Sequence, residues 1–450
     1  MGQPNIVVIM VDDMRRDDLA VMPQTRKYLG TDNGSSPPNG VRYSRAYAAN
    51  PLCTPNRSCH LVGQYAHNTG VWGNDPLEGQ GINALHPLEE DTLPVWLQAA
   101  GYRTGFVGKY VNGYGENGDT EPDTYVPPGW DEWRATQSGT YSYNGTRTVN
   151  VNGTLQQDNG YVTTWARKKA VGRVNDWAPD DVPFYLQVCF VAPHNDHPAA
   201  EPQYAGDSTI GVPESDAFDQ AMPDDVPWIA DGPAYTQSDI RRLTATRRER
   251  RDCLKSVDDA VNEIRLALVD NGVMNDTLIF FLSDNGFMLG EHRVENKQKP
   301  YEESTGVPVL ARWTNGPLNP GVQSRLVSTI DVTATIVDVA DAIPGHPLDG
   351  RSLLEPMPPT GEYRSVLSEG RQLSGDMPSW KLLRVRDYAY VEYEDSEIRE
   401  FYDLAAQPWQ RTNQISDPAY AGIVASLADL MVVMRDGAGV DYDVNWTPPA

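Results

Sequence analysis

In Cys53-Thr54-Pro55-Asn56-Arg57 a nucleophile stands where a helix is expected to begin. Pro55 suits the first helical position, where its missing N–H costs nothing, which puts Cys53 and Thr54 at or beside the cap. Free backbone N–H groups at a helix start favour an anion. Arg57 follows Cys53 by one helical turn and can reach back to hold the same anion bidentately. A cysteine so placed is expected to be more acidic than a free thiol. Read without context, the same five residues also describe a helix start that carries a buried cysteine.

Oxygen ligands recur at two other places. The apolar run Asn5 to Val11, the pattern of a parallel strand covered on both faces, ends in Asp12-Asp13. Thr277 to Ser283 repeats the pattern and ends in Asp284-Asn285. Ligands of open α/β sheets lie beyond the carboxyl ends of the strands, which is where both pairs fall. Adjacent acids repel unless a positive charge lies between them, and carboxylate and amide oxygens are what Ca²⁺ or Mg²⁺ takes. One such pair also reads as solvated loop acids. Two strands with the same ending predict one divalent cation held by Asp12, Asp13, Asp284 and Asn285. A third buried strand, Phe184 to Val191, runs into Ala192-Pro193-His194-Asn195-Asp196-His197 and brings His194 and His197 to the same edge.

The core Cys-x-Pro-x-Arg and its continuation through Gly63-Gln64-Tyr65-Ala66-His67-Asn68 resemble the signature of the type I sulfatases, in the alkaline phosphatase superfamily. Asn56, His60 and Val62 depart from that family's usual small, apolar and threonine residues, while the cysteine, proline and arginine stand. Gly101 to Tyr110 resembles the second signature, which makes Lys109 the lysine that contacts sulfate. The family's histidine is missing at Val111. A Lys-Tyr-x-Asn run like that of sulfatases resembling N-acetylglucosamine-6-sulfatase makes Asn112 its substitute toward the substrate, and Pro127 to Trp133 resembles the same branch. The Ala-Pro-His element points to His194 at the sulfate ester, with His197 lining the opening. Counting back from Tyr301-Glu302, Lys297 rather than Lys299 matches the sulfate-binding lysine. The resemblance further implies that a formylglycine-generating enzyme oxidises Cys53 to formylglycine, which joins the cation's ligands. Its hydrate would attack sulfur, with Lys109, Lys297 and Arg57 neutralising charge and His194 or a lysine assisting the leaving group.

The elements that must position these groups read as an α/β fold: a large, mostly parallel sheet flanked by helices, as the resemblance also implies, followed by a small antiparallel C-terminal sheet. Trp380 to Val385, Tyr388 to Tyr393 and Arg399 to Asp403 alternate like antiparallel strands, with a helix near Tyr420 to Met434 covering one face. The proline-rich break at Glu355 to Pro359 predicts a catalytic domain over 1–355 and a small α+β subdomain over 360–450. Arg241 to Arg251 reads as the solvated face of a helix continuing to Val269, its charges in i, i+4 pairs.

A net charge of −25 over 450 residues repels nucleic acid and anionic membrane, so neither is expected as a partner. A small anionic sulfate ester, on a carbohydrate or an aryl group, suits a basic pocket inside an acidic shell. The start Met1-Gly2-Gln3-Pro4 carries no signal-type segment, which predicts a cytoplasmic protein or one whose export signal has been removed. No apolar segment is expected to reach membrane-spanning length. The four cysteines show no disulfide or zinc spacing. Two rivals to the sulfatase reading are a phosphonate or phosphate ester hydrolase of the same superfamily and a non-catalytic protein that binds a sulfated ligand. A two-metal phosphatase is disfavoured because ligands are seen for one cation.

Overall fold

The computed structural model describes residues 2–31, 39–194, 198–222, 226–230, 232–372 and 377–449. In chain order the large sheet takes β1 (Asn5–Val11), β2 (Val41–Tyr47), β3 (Arg103–Lys109), β4 (Glu132–Thr136), β5 (Arg147–Val151), β6 (Thr154–Asp158), β7 (Phe184–Cys189) and β8 (Thr277–Ser283). A ribbon of β9 (Met288–Leu289) and β10 (Glu295–Asn296) follows, and β11 (Val309–Arg312) and β12 (Gly321–Ser328) return to the sheet. Its ten strands run in the order β12-β2-β11-β8-β1-β7-β3-β4-β5-β6. All but β5 and β11 point the same way.

The apolar runs are continuous because both faces of the sheet are covered, and successive side chains point to opposite faces. Ile6, Val8 and Met10 enter one core with Leu93, Trp96, Val332 and Ile336 from the helices Leu93–Ala99 and Ile330–Ala340. Val7, Ile9 and Val11 enter the other, against the helices Val162–Trp177 and Gln237–Asp270. Each such side chain contributes about 1.5–3 kcal/mol through burial. Register then delivers the chemistry. β1 pairs in parallel with β8 from Asn5↔Thr277 to Val11↔Ser283, so Asp12-Asp13 and Asp284-Asn285 leave the sheet at one level.

The second sheet is antiparallel throughout, in the order β16-β15-β14-β13-β17, from β13 (Tyr363–Gly370), β14 (Trp380–Val385), β15 (Tyr388–Tyr393), β16 (Arg399–Asp403) and β17 (Asn445–Trp446). The helix Ala421–Arg435 lays Leu427, Leu430, Met431 and Met434 into the core beneath it. That core continues into the first part of the chain through Ala49, Cys59, Tyr65 and Ile330. A buried clasp crosses the same junction: Arg364 on β13 donates to both oxygens of Asp331 at 2.7 and 2.6 Å. Removing one partner strands the other charge. Arg364→Met is therefore expected to cost about 3–5 kcal/mol, read as a lower denaturation midpoint.

One helical stretch, Pro418–Arg435, is long and apolar enough to cross a membrane by length and composition alone, and it packs Leu427, Leu430, Met431 and Met434 in the core. One expectation is corrected here. The basic burst is not a solvated face: Arg247, Arg250 and Arg251 are buried. Arg247 donates to Asp17 at 2.8 Å and Arg251 to Asp18 at 2.7 Å, acids on another segment that the spacing within the helix could not reveal.

The segment 112–125 is pinned by His86, which bonds Asp119 at 2.8 Å and Glu89 at 2.9 Å. Burial opposes its charge, but the bonds to Asp119 and Glu89 outweigh burial and raise its pKa to about 9. A raised value in the folded state gives stability that is complete below pH 6.5, the ordinary histidine value, and is lost as pH rises to about 9. Thermal melts across that window are expected to fall more steeply for the parent than for His86→Gln.

Candidate active site

The helix Cys53–Val62 begins at Cys53, two residues earlier than the proline suggests, because Leu52 is extended and serves as the cap position. Pro55 is tolerated at the third position, where its N–H would still lack an intrahelical partner. The N–H of Thr54 goes to Asn74 Oδ1 at 3.0 Å, so this helix start is not the open anion cradle expected from the sequence. Every residue of the helix is buried, and Gly63 ends it with φ 75°.

Burial places Cys53 at the centre of a charged cluster. Its Sγ lies 2.9 Å from Lys297 Nζ, 3.4 Å from Asp12 Oδ1 and 3.8 Å from Asp13 Oδ1. Burial, followed by the charge of Asp12, pushes the thiol up to about 12, despite Lys109 and Lys297. The expected acidic cysteine is thereby corrected: a helix terminus loses to complete desolvation and a carboxylate at contact distance. The same ring of ammonium and carboxylate groups is richer in hydrogen-bonding partners than a sulfur can use, and it fits an oxygen-bearing residue at this position.

Arg57 also differs from expectation. Its Nε donates to Asp284 Oδ2 at 2.8 Å, and its Nη1 to the carbonyls of Lys109 and Tyr110 at 2.8 and 3.2 Å. Only Nη2 is left, 3.9 Å from Asp12 Oδ2 and without a hydrogen-bond partner among the described residues. A bidentate grip on a ligand is excluded because the other donors already hold the ends of β3 and β8.

Asp12, Asp13, Cys53 and His194 bring donor atoms within 4.8 Å of one another, a group that can hold a metal ion. Asn285 Oδ1 is buried with no partner among the described residues, an oxygen whose desolvation a cation would offset. Asp284 stands behind them. Its Oδ1 accepts the N–H groups of Asp13 and Asn285 at 3.0 and 2.8 Å, and its other oxygen takes Arg57. Oxygen donors dominate the set, so it fits a hard divalent cation. The carboxyls titrate apart. Burial opposes ionisation of Asp12, but Lys109, His194, Arg57 and Lys297 outweigh it and hold the group well below the usual carboxylate range. At Asp284 burial and the charge of Asp12 win, and its pKa rises to about 6.

The two lysines reach different carboxylates of this group. Lys109, at the end of β3, gives its Nζ to Asp12 Oδ2 at 2.6 Å, and Lys297, just after β10, reaches Asp13 Oδ1 at 2.5 Å. His194 Nε2 lies 3.8 Å from Asp13 Oδ2. Asn112 receives the Thr54 hydroxyl on its Oδ1 at 3.1 Å and donates to the hydroxyl of Tyr141 at 3.0 Å, which puts it one residue from Cys53. Val111 is buried in the core and offers no polar group. His197 lies outside the described residues.

The sequence did not reveal Tyr141 or Arg250. The Tyr141 ring stacks on His194 with centroids 4.4 Å apart, and Lys109 Nζ lies 5.0 Å from its centre. It sits in a Gly-, Asn- and Tyr-rich stretch with no periodicity to set it apart. Arg250 is concealed in the run Arg247-Arg248-Glu249-Arg250-Arg251, where it shares the buried stripe of the helix with Arg247 and Arg251.

Comparison with known proteins bears on this geometry. Residues 4–342 match the family described as sulfatase, and residues 290–437 match the N-sulphoglucosamine sulphohydrolase C-terminal family. The chain is 32% identical over 372 residues to N-acetylglucosamine-6-sulfatase of Capra hircus, covering 78% of this chain and 63% of that one. It is 31% identical over 480 residues to N-acetylglucosamine-6-sulfatase of Homo sapiens, covering 93% and 83%. It thus spans less than two thirds of the goat relative. A solved structure described as a complex with its substrate D-glucosamine-2-N,6-O-disulfate superposes with a TM-score of 0.78 at 19% identity, covering 98% of both chains, a likeness of fold.

Proposed function

The chain belongs to the sulfatase family, and from that premise we propose that it hydrolyses a sulfate monoester to an alcohol and inorganic sulfate. The observation that carries the reading is the ring around Cys53: two lysines, two carboxylates and a histidine converge on one buried position at a helix start. Formylglycine at position 53 would supply, as its hydrate, one hydroxyl for attack on sulfur as the S–O bond to the alcohol breaks, and a second whose deprotonation would re-form the aldehyde as the C–O bond to sulfate breaks; a divalent cation would supply Lewis acidity.

The remaining work falls to the chain's own side chains. Asp12, Asp13, Asp284 and Asn285, with the oxidised residue at position 53, would hold the cation, with His194 at its margin, and Asp284 would also orient Asp13 and Arg57. Lys109 and Lys297 would face the sulfuryl oxygens, where preorganised charge acts without reorganisation. His194, whose Nε2 lies 3.8 Å from Asp13 Oδ2, would give a proton to the departing alkoxide. Arg57 would keep the ends of β3 and β8 in register and direct Nη2 into the site. Asn112 and Tyr141 would border the alcohol.

The relatives' names and the sugar complex favour a sulfated aminosugar as substrate. Ca²⁺ or Mg²⁺ would be the cation, and a formylglycine-generating enzyme the partner in maturation. A division into a catalytic part, 1–355, and a C-terminal part, 360–450, belongs to the same proposal. The proline-rich segment between helix Ile330–Ala340 and β13 supports it, although the shared core predicts that both parts unfold together.

The test is peptide mass spectrometry across Cys53 on protein co-produced with a formylglycine-generating enzyme, with aryl sulfate and phosphonate monoester turnover measured on the same sample. Conversion with sulfate release supports the proposal. Conversion with faster phosphonate turnover transfers the reading to the phosphonate hydrolases, and tight binding of a sulfated sugar with no turnover of either would make the chain a binding protein.

A further inference from the structure

Arg250 projects from the middle of the helix Gln237–Asp270, an element that contributes no ligand or nucleophile to the site described above. It is fully buried. Its Nη1 donates to the carbonyl of Pro193 at 2.9 Å, and its Nη2 donates to the carbonyl of Asp13. The guanidinium lies 4.0 Å from the centre of the Phe287 ring, two residues beyond Asn285. One planar group therefore touches the turn after β1, the turn after β7 and the turn after β8.

Those turns need an external tie. Asp13 has φ 65°, a left-handed conformation that a residue with a Cβ adopts at a cost, so its surroundings must impose it. Asp284 holds the N–H of Asp13 from one side, and Arg250 holds its carbonyl from the other. The Asp13 side chain is thereby turned toward the cluster while its backbone faces the helix. On the second turn, the carbonyl of Pro193 goes to Arg250, the carbonyl of His194 to the Tyr143 hydroxyl at 2.8 Å, and the His194 ring to Tyr141. The imidazole is thus held by its backbone and its face, leaving Nε2 directed at Asp13.

We propose that Arg250 is a positioning residue that sets the distance between the cation-side carboxylates and the leaving-group histidine by clamping the Asp13 and Pro193 carbonyls to one guanidinium. Arginine is required because two carbonyls on separate turns need a planar group with divergent donors, which a lysine ammonium on a flexible stem does not present. The inference rests on the sulfatase reading only for the role of His194; the clamp on Asp13 stands without it.

The test compares Arg250→Met, Arg250→Lys and, as a control, Arg251→Met, whose parent side chain bonds Asp18 and leaves the site untouched. Ca²⁺ binding to the full chain is measured by calorimetry, thermal midpoints are taken without the ion, and turnover is followed on aryl sulfates of graded leaving-group acidity. Arg250→Met is expected to weaken Ca²⁺ binding about 10- to 100-fold and to slow poor leaving groups more than good ones. Arg250→Lys should recover part of both losses, and Arg251→Met should lower only the midpoint. If Arg250→Met does not fold, Arg250→Lys decides through the same two readouts. A lowered midpoint with Ca²⁺ affinity and leaving-group dependence both at parent values would overturn the proposal and reduce Arg250 to helix packing. Absence of sulfate release in the parent would strike the sulfatase reading, while the Ca²⁺ arm would still decide the clamp.

Discussion

Replacing Cys53 by alanine is expected to reduce sulfate release to the uncatalysed level while the fold stands. The side chain is small and wholly buried, so its loss leaves at most a small polar gap at the head of the helix. Chemically nothing replaces it: the neighbouring groups are two ammonium groups, two carboxylates and an imidazole, which stabilise or transfer charge but offer no hydroxyl at the same point. The parent protein with Cys53 unoxidised is expected to behave almost the same way. With its pKa pushed up to about 12 by burial and Asp12, the thiol is almost entirely protonated at neutral pH. Cys59→Ala is the matched control, because Cys59 is equally buried but belongs to the core shared with the C-terminal sheet. It should lower the thermal midpoint and spare turnover. Ion-chromatographic sulfate release beside intact mass decides the matter, and an active Cys53→Ala protein would remove position 53 from the mechanism.

The contrast between Cys53 and its setting shows where sequence reasoning holds and where it stops. The apolar runs into Asp12-Asp13 and Asp284-Asn285 were legible because strand period, burial and the carboxyl-edge rule are local properties, and parallel register does the rest. Lys109 was singled out by its resemblance to the second signature, and its burial was not legible in the sequence. The acidity of Cys53 was misjudged because desolvation and Asp12 act through space from distant positions in the chain. The bidentate Arg57 failed similarly, since its donors are taken by carbonyls more than fifty residues away. Arg247, Arg250 and Arg251 were read as solvated because a run of arginines gives no sign of which ones face Asp17, Asp18 and Asp13. β13 carries no turn signal beyond the prolines before it, and β17 is a two-residue edge that only pairing with Tyr363 and Arg364 defines.

Lys297→Met is expected to lower kcat about 10²- to 10³-fold, the usual loss when one preorganised charge is removed from a developing oxyanion. The lysine reaches the site from the segment after β10, where Asn296 and Gln298 both have positive φ, so the backbone is bent to deliver this side chain. Its Nζ lies between Cys53 Sγ and Asp13 Oδ1, within 2.9 and 2.5 Å, with little exposure to solvent. Burial opposes its charge, but Asp13, with Asp12 beside it, outweighs burial and keeps it protonated. Methionine preserves the stem and removes only the charge. Loss of a cation beside Asp13 also removes repulsion from any divalent ion held there, so Ca²⁺ affinity should hold or rise as turnover falls. That opposite movement separates Lys297 from Arg250, whose loss is expected to weaken both. Steady-state kinetics and Ca²⁺ calorimetry on the same preparation test it: a Lys297→Met protein with kcat within a few-fold of the parent, or one that loses Ca²⁺ affinity in step with kcat, would show that the lysine supports the carboxylates rather than the reacting sulfuryl group.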